Sequence, residues 1–191
     1  MGSRTNKPKR EGELDQYFTD DAVARACVAV LSLGGKVLEP HAGGGAFTRA
    51  IKAVQPGLLY ANDLDHTHAE EWGVQPQRRS QIDFATMQPL TPGRYRYNWI
   101  IGNPPYNEAE AHVRKALQLS PNVAFLLRVG FLGTAKRKAF HLAHPVSKVY
   151  LLGERPSFTG GGTDGSEYAL CVWDAFHDPS KPATFDTIWW K

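Results

Sequence analysis

Cysteine is scarce in this chain, with Cys27 and Cys171 the two cysteines among 191 residues. Each lies in an apolar stretch, so both read as small buried hydrophobes, and a disulfide framework, a metal site and redox chemistry are set aside. Long hydrophobic runs are missing too. The longest, residues 22 to 33, is interrupted by Arg25 and falls short of the roughly 20 residues that a bilayer span requires. The first ten residues are basic but lead into no apolar signal core, so a cytoplasmic protein without a membrane partner is expected. An extreme of charge is absent as well. The formal net charge is +3, a bias that suits a polyanion without establishing one.

What is present is an ordinary globular composition, 42% hydrophobic and 21% charged, at a length that builds one domain. Residues 1–13 are polar and basic and read as a flexible arm, leaving 14–191 as a single domain. Thr19 is placed to cap a first helix with Asp20 and Asp21 in its opening turn and Val23, Ala26 or Cys27, and Val30 or Leu31 on its apolar face; Gly34 and Gly35 stop it. Strand and helix patterns then alternate. Strands are predicted over 36–39, 58–61, 80–82, 97–101 and 123–127, with helices opening near Phe47, Thr67, Asn107 and Ala135. Asn107 and Glu110 have the spacing of a capping box. Residues 149–152 and 168–173 read as an antiparallel pair around a glycine-rich loop, 160–165. Alternation of this kind predicts a mostly parallel α/β sheet covered on both faces, with its chemistry in the turns after the strands.

The first such turn is Glu39-Pro40-His41-Ala42-Gly43-Gly44-Gly45, entering a helix at Phe47. Glycines here let a backbone approach a ligand closely. Thr48 stands where a dinucleotide fingerprint wants a third glycine, and no Lys-Ser or Lys-Thr pair follows, so phosphate is disfavoured. Glu39 beside the glycines suits an ammonium group. Asp63, about 20 residues on, suits the two hydroxyls of a ribose. One ligand carrying an amine and a ribose satisfies both. Asp83-Phe84 offers an acceptor and an apolar wall for an adenine, or an ordinary helix cap.

Asn103-Pro104-Pro105-Tyr106 follows the apolar run Trp99–Gly102. Two prolines fix an extended backbone that has acceptors and no amide hydrogens to offer. An amine on an aromatic base is a poor nucleophile because its lone pair is delocalised into the ring. The Asn103 side-chain oxygen and the Pro104 carbonyl can each accept one of its hydrogens, which frees the lone pair to face a methyl donor. Tyr106 supplies an aromatic face for a base swung out of its helix.

These segments resemble the amino-methyltransferases of nucleic acids, especially the N6-adenine DNA enzymes of gamma-like order and small phage type. The resemblance runs from Gln16-Tyr17-Phe18-Thr19 through Glu39 to Phe47, Asp63, Asp83-Phe84 and Asn103 to Tyr106, and on to about Trp173. It implies a Rossmann-like class I methyltransferase with a seven-stranded sheet whose last strand is antiparallel, and S-adenosyl-L-methionine as cofactor. Tyr17, Phe18 and Thr19 would lie against its methionine part, bordered by Glu39, Pro40, Ala42, Gly43, Gly45 and Asn103. Asp63 and Leu64 would hold the ribose, Asp83 and Phe84 the adenine. Asp20 stands where many relatives carry proline. The chain after Tyr106 is mostly needed to finish the sheet, so no separate target-recognition domain is expected.

The segment 155–166 is similar to loops that close over the target base, with Phe158 opposite Tyr106 or else in the core, and Arg155 on a phosphate. Lys136, Arg137 and Lys138 are further phosphate contacts or simply solvated charge. His66 and His68 are the closest histidine pair, and without a third ligand no metal is expected. The expected reaction is methylation of adenine N6 in DNA, the partner DNA, the state a monomer or a dimer. RNA adenine and cytosine N4 are alternative targets. Protein glutamine methyltransferases share Asn-Pro-Pro-Tyr, but their first motif resembles Asp-Leu-Gly-Thr-Gly-Ser-Gly. A silent nucleic-acid-binding subunit would keep the fold without turnover.

Overall fold

The computed structural model describes residues 18–55, 57–91, 93–158 and 165–190. The expected arm over 1–13, Tyr17 and the glycines 160–162 lie outside the described residues. Eight strands build one sheet: β1 (Lys36–Glu39), β2 (Leu58–Asn62), β3 (Arg79–Ser80), β4 (Trp99–Gly102), β5 (Asn122–Arg128), β6 (Lys148–Leu152), β7 (Tyr168–Asp174) and β8 (Thr184–Ile188). Their order is β3-β2-β1-β4-β5-β7-β6-β8. β7 pairs antiparallel with both β5 and β6, and the other pairs are parallel. The mostly parallel α/β sheet is thus as expected, with one strand more than seven and with the reversed strand, β7, followed by a parallel β8 instead of coming last. β8 escaped notice because Thr184 to Thr187 are all exposed and only Ile188 is buried, so no apolar alternation marks it.

Helices α1 (Asp21–Ala29) and α2 (Ala46–Val54) cover one face of the sheet, and α3 (Ala109–Leu119) and α4 (Lys138–Ala143) the other. Val37, Ala61 and Ile101 face the first pair, and Leu38, Ile100 and Phe125 the second, the strict alternation that a pleated strand imposes. Six of the seven β7 residues are buried, as befits a strand flanked by neighbours on both sides.

Three local expectations fail for identifiable reasons. Asp20, not Thr19, caps α1, its carboxylate accepting from the Ala22 N–H at 2.7 Å, because Thr19 is engaged elsewhere. The N-cap of α3 is Glu108, whose side chain makes no capping bond; the tight 3₁₀ turn Tyr106–Glu108 leads straight into the helix, so it starts one residue later than an Asn107 cap would place it. The stretch opening near Thr67 is a single 3₁₀ turn, Ala69–Trp72.

Sheet order reverses at β1: the chain winds outward through β2 and β3, then crosses back to β4. A crevice therefore opens at the carboxyl ends of β1 and β4, where such sheets hold ligands. Among the described residues no helix is long and apolar enough to cross a membrane.

Candidate active site

The glycine turn leaves β1 at this crevice. Gly43 (φ +46°) and Gly45 (φ +82°) adopt left-handed backbone, which costs a residue with a Cβ about 1 kcal/mol or more. Three contacts hold the turn. The Gly43 N–H donates to Asp63 Oδ2 at 2.8 Å, Trp72 Nε1 donates to the Gly43 carbonyl at 2.8 Å, and the Phe18 ring lies over Gly43 and Gly44, where an added Cβ would meet it at 3.3–3.4 Å. Beneath it the buried Asn62 amide ties three strand ends together: it donates to the Pro40 and Ile82 carbonyls and accepts from Ser80 Oγ and the Ile82 N–H. Each of its four hydrogen-bonding sites is used.

A cavity of about 160 Å³ results, lined by Phe18, Thr19, Glu39, Gly43, Phe47 and Asn103 among others. Segments at 18–19, 39–47 and 103, far apart in sequence, thus meet at one site. Glu39 is 1% exposed. One oxygen is served by the Thr48 N–H, while Oε2 is buried and has no hydrogen-bond partner among the described residues. Burial, reinforced by the neighbouring Asp63, holds this carboxyl well above its ordinary range. A buried carboxylate oxygen with nothing to bind is costly unless a ligand completes it. An ammonium group fits that need. Asp63 is also raised by burial; its oxygens accept from Gly43 and Asp65 N–H groups and each retains a lone pair for a hydroxyl.

The expected adenine subsite is less complete. Asp83 is exposed and caps a 3₁₀ turn, accepting from the Ala85 N–H, so the helix-cap reading is the one observed. Phe84 is buried against His41 rather than lining the cavity, and Leu64 is half exposed.

At the end of β4, Asn103 Nδ2 donates to Thr19 Oγ1 at 3.1 Å, which fixes which way the amide oxygen points. Gly102 keeps β4 close to β1, since a Cβ there would come within 3.3 Å of Glu39 Oε1. Tyr106 is 8% exposed. The Arg128 guanidinium lies 4.8 Å from its ring centroid, with Tyr168 at 5.4 Å and Phe158 edge-on at 6.3 Å. Phe158 is therefore in the aromatic core, not standing opposite Tyr106 across a gap. Burial and Tyr168 push the Tyr106 phenol far above its ordinary value, so it stays neutral.

The basic residues divide. Arg155 is ion-paired with Glu167, and Arg137 lies over the Phe131 ring at 4.6 Å beside Glu110. Lys136 and Lys138 are exposed. His66 and His68 turn to the Ser80 carbonyl and Glu71 respectively.

A different histidine pair went unseen in the sequence. His41 Nε2 and His112 Nδ1 are 2.5 Å apart, and His112 Nε2 lies 3.4 Å from Glu108 Oε2. Burial depresses both imidazoles, so the pair is neutral. The carboxylate draws the His112 proton to Nε2, and His41 therefore donates to His112 Nδ1. Seventy-one residues separate the two, and no local spacing signals the contact.

No family model matches the chain, and no curated protein matches it. Solved structures do. A methyltransferase subunit of a type I restriction-modification system from Streptococcus thermophilus aligns over 85% of this chain and 45% of its own, at TM-score 0.63 and 15% identity. A proposed class I S-adenosylmethionine-dependent methyltransferase from Listeria monocytogenes aligns over 92% and 67%, at 0.64 and 13%. A proposed RNA methyltransferase from Pyrococcus horikoshii aligns over 88% and 91%, at 0.62 and 15%. The chain spans under half the length of the Streptococcus subunit. At these identities what is shared is the Rossmann-like methyltransferase fold.

Proposed function

We propose that the chain is an S-adenosyl-L-methionine-dependent methyltransferase acting on the exocyclic N6 amine of adenine in DNA. One observation carries the reading: Asn103 of the Asn-Pro-Pro-Tyr turn and Glu39 with Gly43 of the glycine turn line the same cavity. When bound, the cofactor supplies a sulfonium-borne methyl group. Glu39 Oε2 receives its ammonium, the glycine turn gives its chain room, and Asp63 takes ribose hydroxyls. Asn103, its amide oriented by Thr19, and the Pro104 carbonyl accept the two hydrogens of the target amine, and Pro105 keeps that turn extended. The amine's lone pair is then available, and the nitrogen sheds one proton to solvent as its new bond to the methyl carbon replaces the carbon–sulfur bond, whose electron pair stays with the departing thioether sulfur.

Tyr106 supports the base, which must take the place now held by the Arg128 guanidinium over its ring. The exposed Lys136 and Lys138 are suited to phosphate contacts.

Incubation with radiolabelled cofactor and duplex DNA, single strands or RNA tests the reading. Label in duplex adenine N6 is expected, and Asn103→Ala should lower transfer by about 100-fold or more while cofactor binding persists. Label confined to RNA would refute the choice of substrate, and full turnover by Asn103→Ala the choice of site.

A further inference from the structure

The crossover from β3 to β4, residues 81–98, contains the 3₁₀ turn Phe84–Thr86 and, among the described residues, no α-helix. α3 packs on the β4 and β5 side of its face, so the part of that face over β1, β2 and β3 is left as an open groove of about 300 Å³. Lys36, Tyr60, Arg78, Arg96 and Tyr97 line it, and none of its lining residues is acidic. Tyr60 and Tyr97 form its floor, edge to face at 5.8 Å. Arg78 and Arg96 each stand over one of these rings at 5.8 Å. Arg78 also donates to the Gly57 carbonyl, and Arg96 to that of Gln88 and to the Tyr97 hydroxyl, bonds that leave the larger part of each guanidinium's five donors available. The Lys36 ammonium has no hydrogen-bond or ion-pair partner among the described residues, and Leu90 stands 62% exposed at the rim.

Cations above aromatic rings, without a carboxylate, are complementary to a phosphodiester chain whose bases are unpaired. The groove begins at Lys36, the first residue of β1, whereas the candidate active site begins at Glu39, the last. It is a separate surface.

We propose that this groove is an exosite for a single-stranded segment of nucleic acid, with Lys36, Arg78 and Arg96 on its phosphates and a base against Tyr60. The proposal rests on the nucleic-acid reading of the active site and adds a second point of attachment, one that would retain a strand beside the enzyme after a base leaves the catalytic turn.

The test is anisotropy of a fluorescein-labelled single-stranded oligodeoxynucleotide titrated with the wild type, with Lys36→Glu/Arg96→Glu, and with Lys148→Glu/Lys181→Glu. The last pair carries the same charge change on exposed residues of β6 and the loop before β8. The groove variant should bind about tenfold more weakly, with a slope of log affinity against log salt shallower by about 1.4 for two lost phosphate contacts. The control should stay close to wild type, and cofactor titration should be the same for all three. A 4-thiothymidine oligonucleotide should crosslink to a peptide containing Tyr60 or Tyr97. Equal weakening in both variants, or none in the groove variant, overturns the exosite while leaving the active-site reading in place. Absence of binding by the wild type overturns both. Deoxyadenosine monophosphate binding as tightly as the oligonucleotide would make the groove a mononucleotide site and overturn the strand.

Discussion

Replacing Glu39 by Gln should move stability and cofactor affinity in opposite directions. The side chain is isosteric and buried, so packing is unchanged, but the ionisable group is gone. Because burial and Asp63 raise the folded carboxyl above the ordinary value of 4.5, the folded state binds the proton more tightly than the unfolded state. Such a group destabilises the fold above 4.5, and its penalty fades as pH falls toward that value. Glu39→Gln should therefore be more stable than wild type at neutral pH, with the gain vanishing on acidification toward 4.5. Affinity goes the other way. A carboxylate and an ammonium about 4 Å apart attract by roughly 4 kcal/mol at an effective dielectric of 20. Desolvation and deprotonation consume part of this, leaving about 2 kcal/mol, typical of a hydrogen bond between charged groups. That is a loss of about 30-fold in affinity. Titration calorimetry with S-adenosyl-L-methionine, in buffers of different ionisation enthalpy, should show a proton released on binding to the wild type and none to the variant. Wild-type affinity should rise with pH above 4.5. Equal affinity of the two proteins at every pH would refute the assignment of Glu39 to an ammonium.

Trp72→Phe removes the indole donor to the Gly43 carbonyl; it should cost about 1–2 kcal/mol, lower the melting temperature by about 5 °C and weaken cofactor binding, and unaltered cofactor affinity would show that the turn holds itself. The depressed His41 and His112 bind protons better unfolded, so they add a loss of stability as pH falls below the ordinary value of 6.5. Urea unfolding between about pH 7.5 and 5.5 should show this loss in the wild type relative to His41→Asn/His112→Asn, which cancels the contribution of Glu39; parallel curves would mean that the pair titrates normally. Burial raises both thiols to about 12, so Cys27 and Cys171 should ignore a thiol reagent at neutral pH until denaturant is added.

The parts of this molecule that the sequence disclosed are those in which local order and tertiary order coincide. The glycine turn, the buried β-strands and the Asn-Pro-Pro-Tyr corner are each contiguous, and their backbone demands are met by their own residues. Features made by meeting segments stayed hidden. Asn62 precedes the expected Asp63 by one residue, yet its role as the clamp of three strand ends depends on Pro40, Ser80 and Ile82. The cap of α1 shifted from Thr19 to Asp20 for the same reason: Asn103, 84 residues away, competes for the Thr19 hydroxyl, and a residue with a long-range partner is released from its local one.

Tyr106 carries that logic to the chemistry. Read locally, a tyrosine after two prolines is a platform waiting for a base, but in the folded chain its ring is already paired with Arg128, which rises from the end of β5 and donates to the Tyr168 hydroxyl at 3.1 Å. A planar guanidinium over an aromatic ring occupies the kind of place that a planar base would. On the proposed reading, base entry would exchange a cation–π contact, about 1 kcal/mol or somewhat more where partly desolvated, for base stacking of about 1–3 kcal/mol. On these magnitudes the exchange runs from about even to favourable by about 2 kcal/mol, before the new surroundings of the guanidinium are counted.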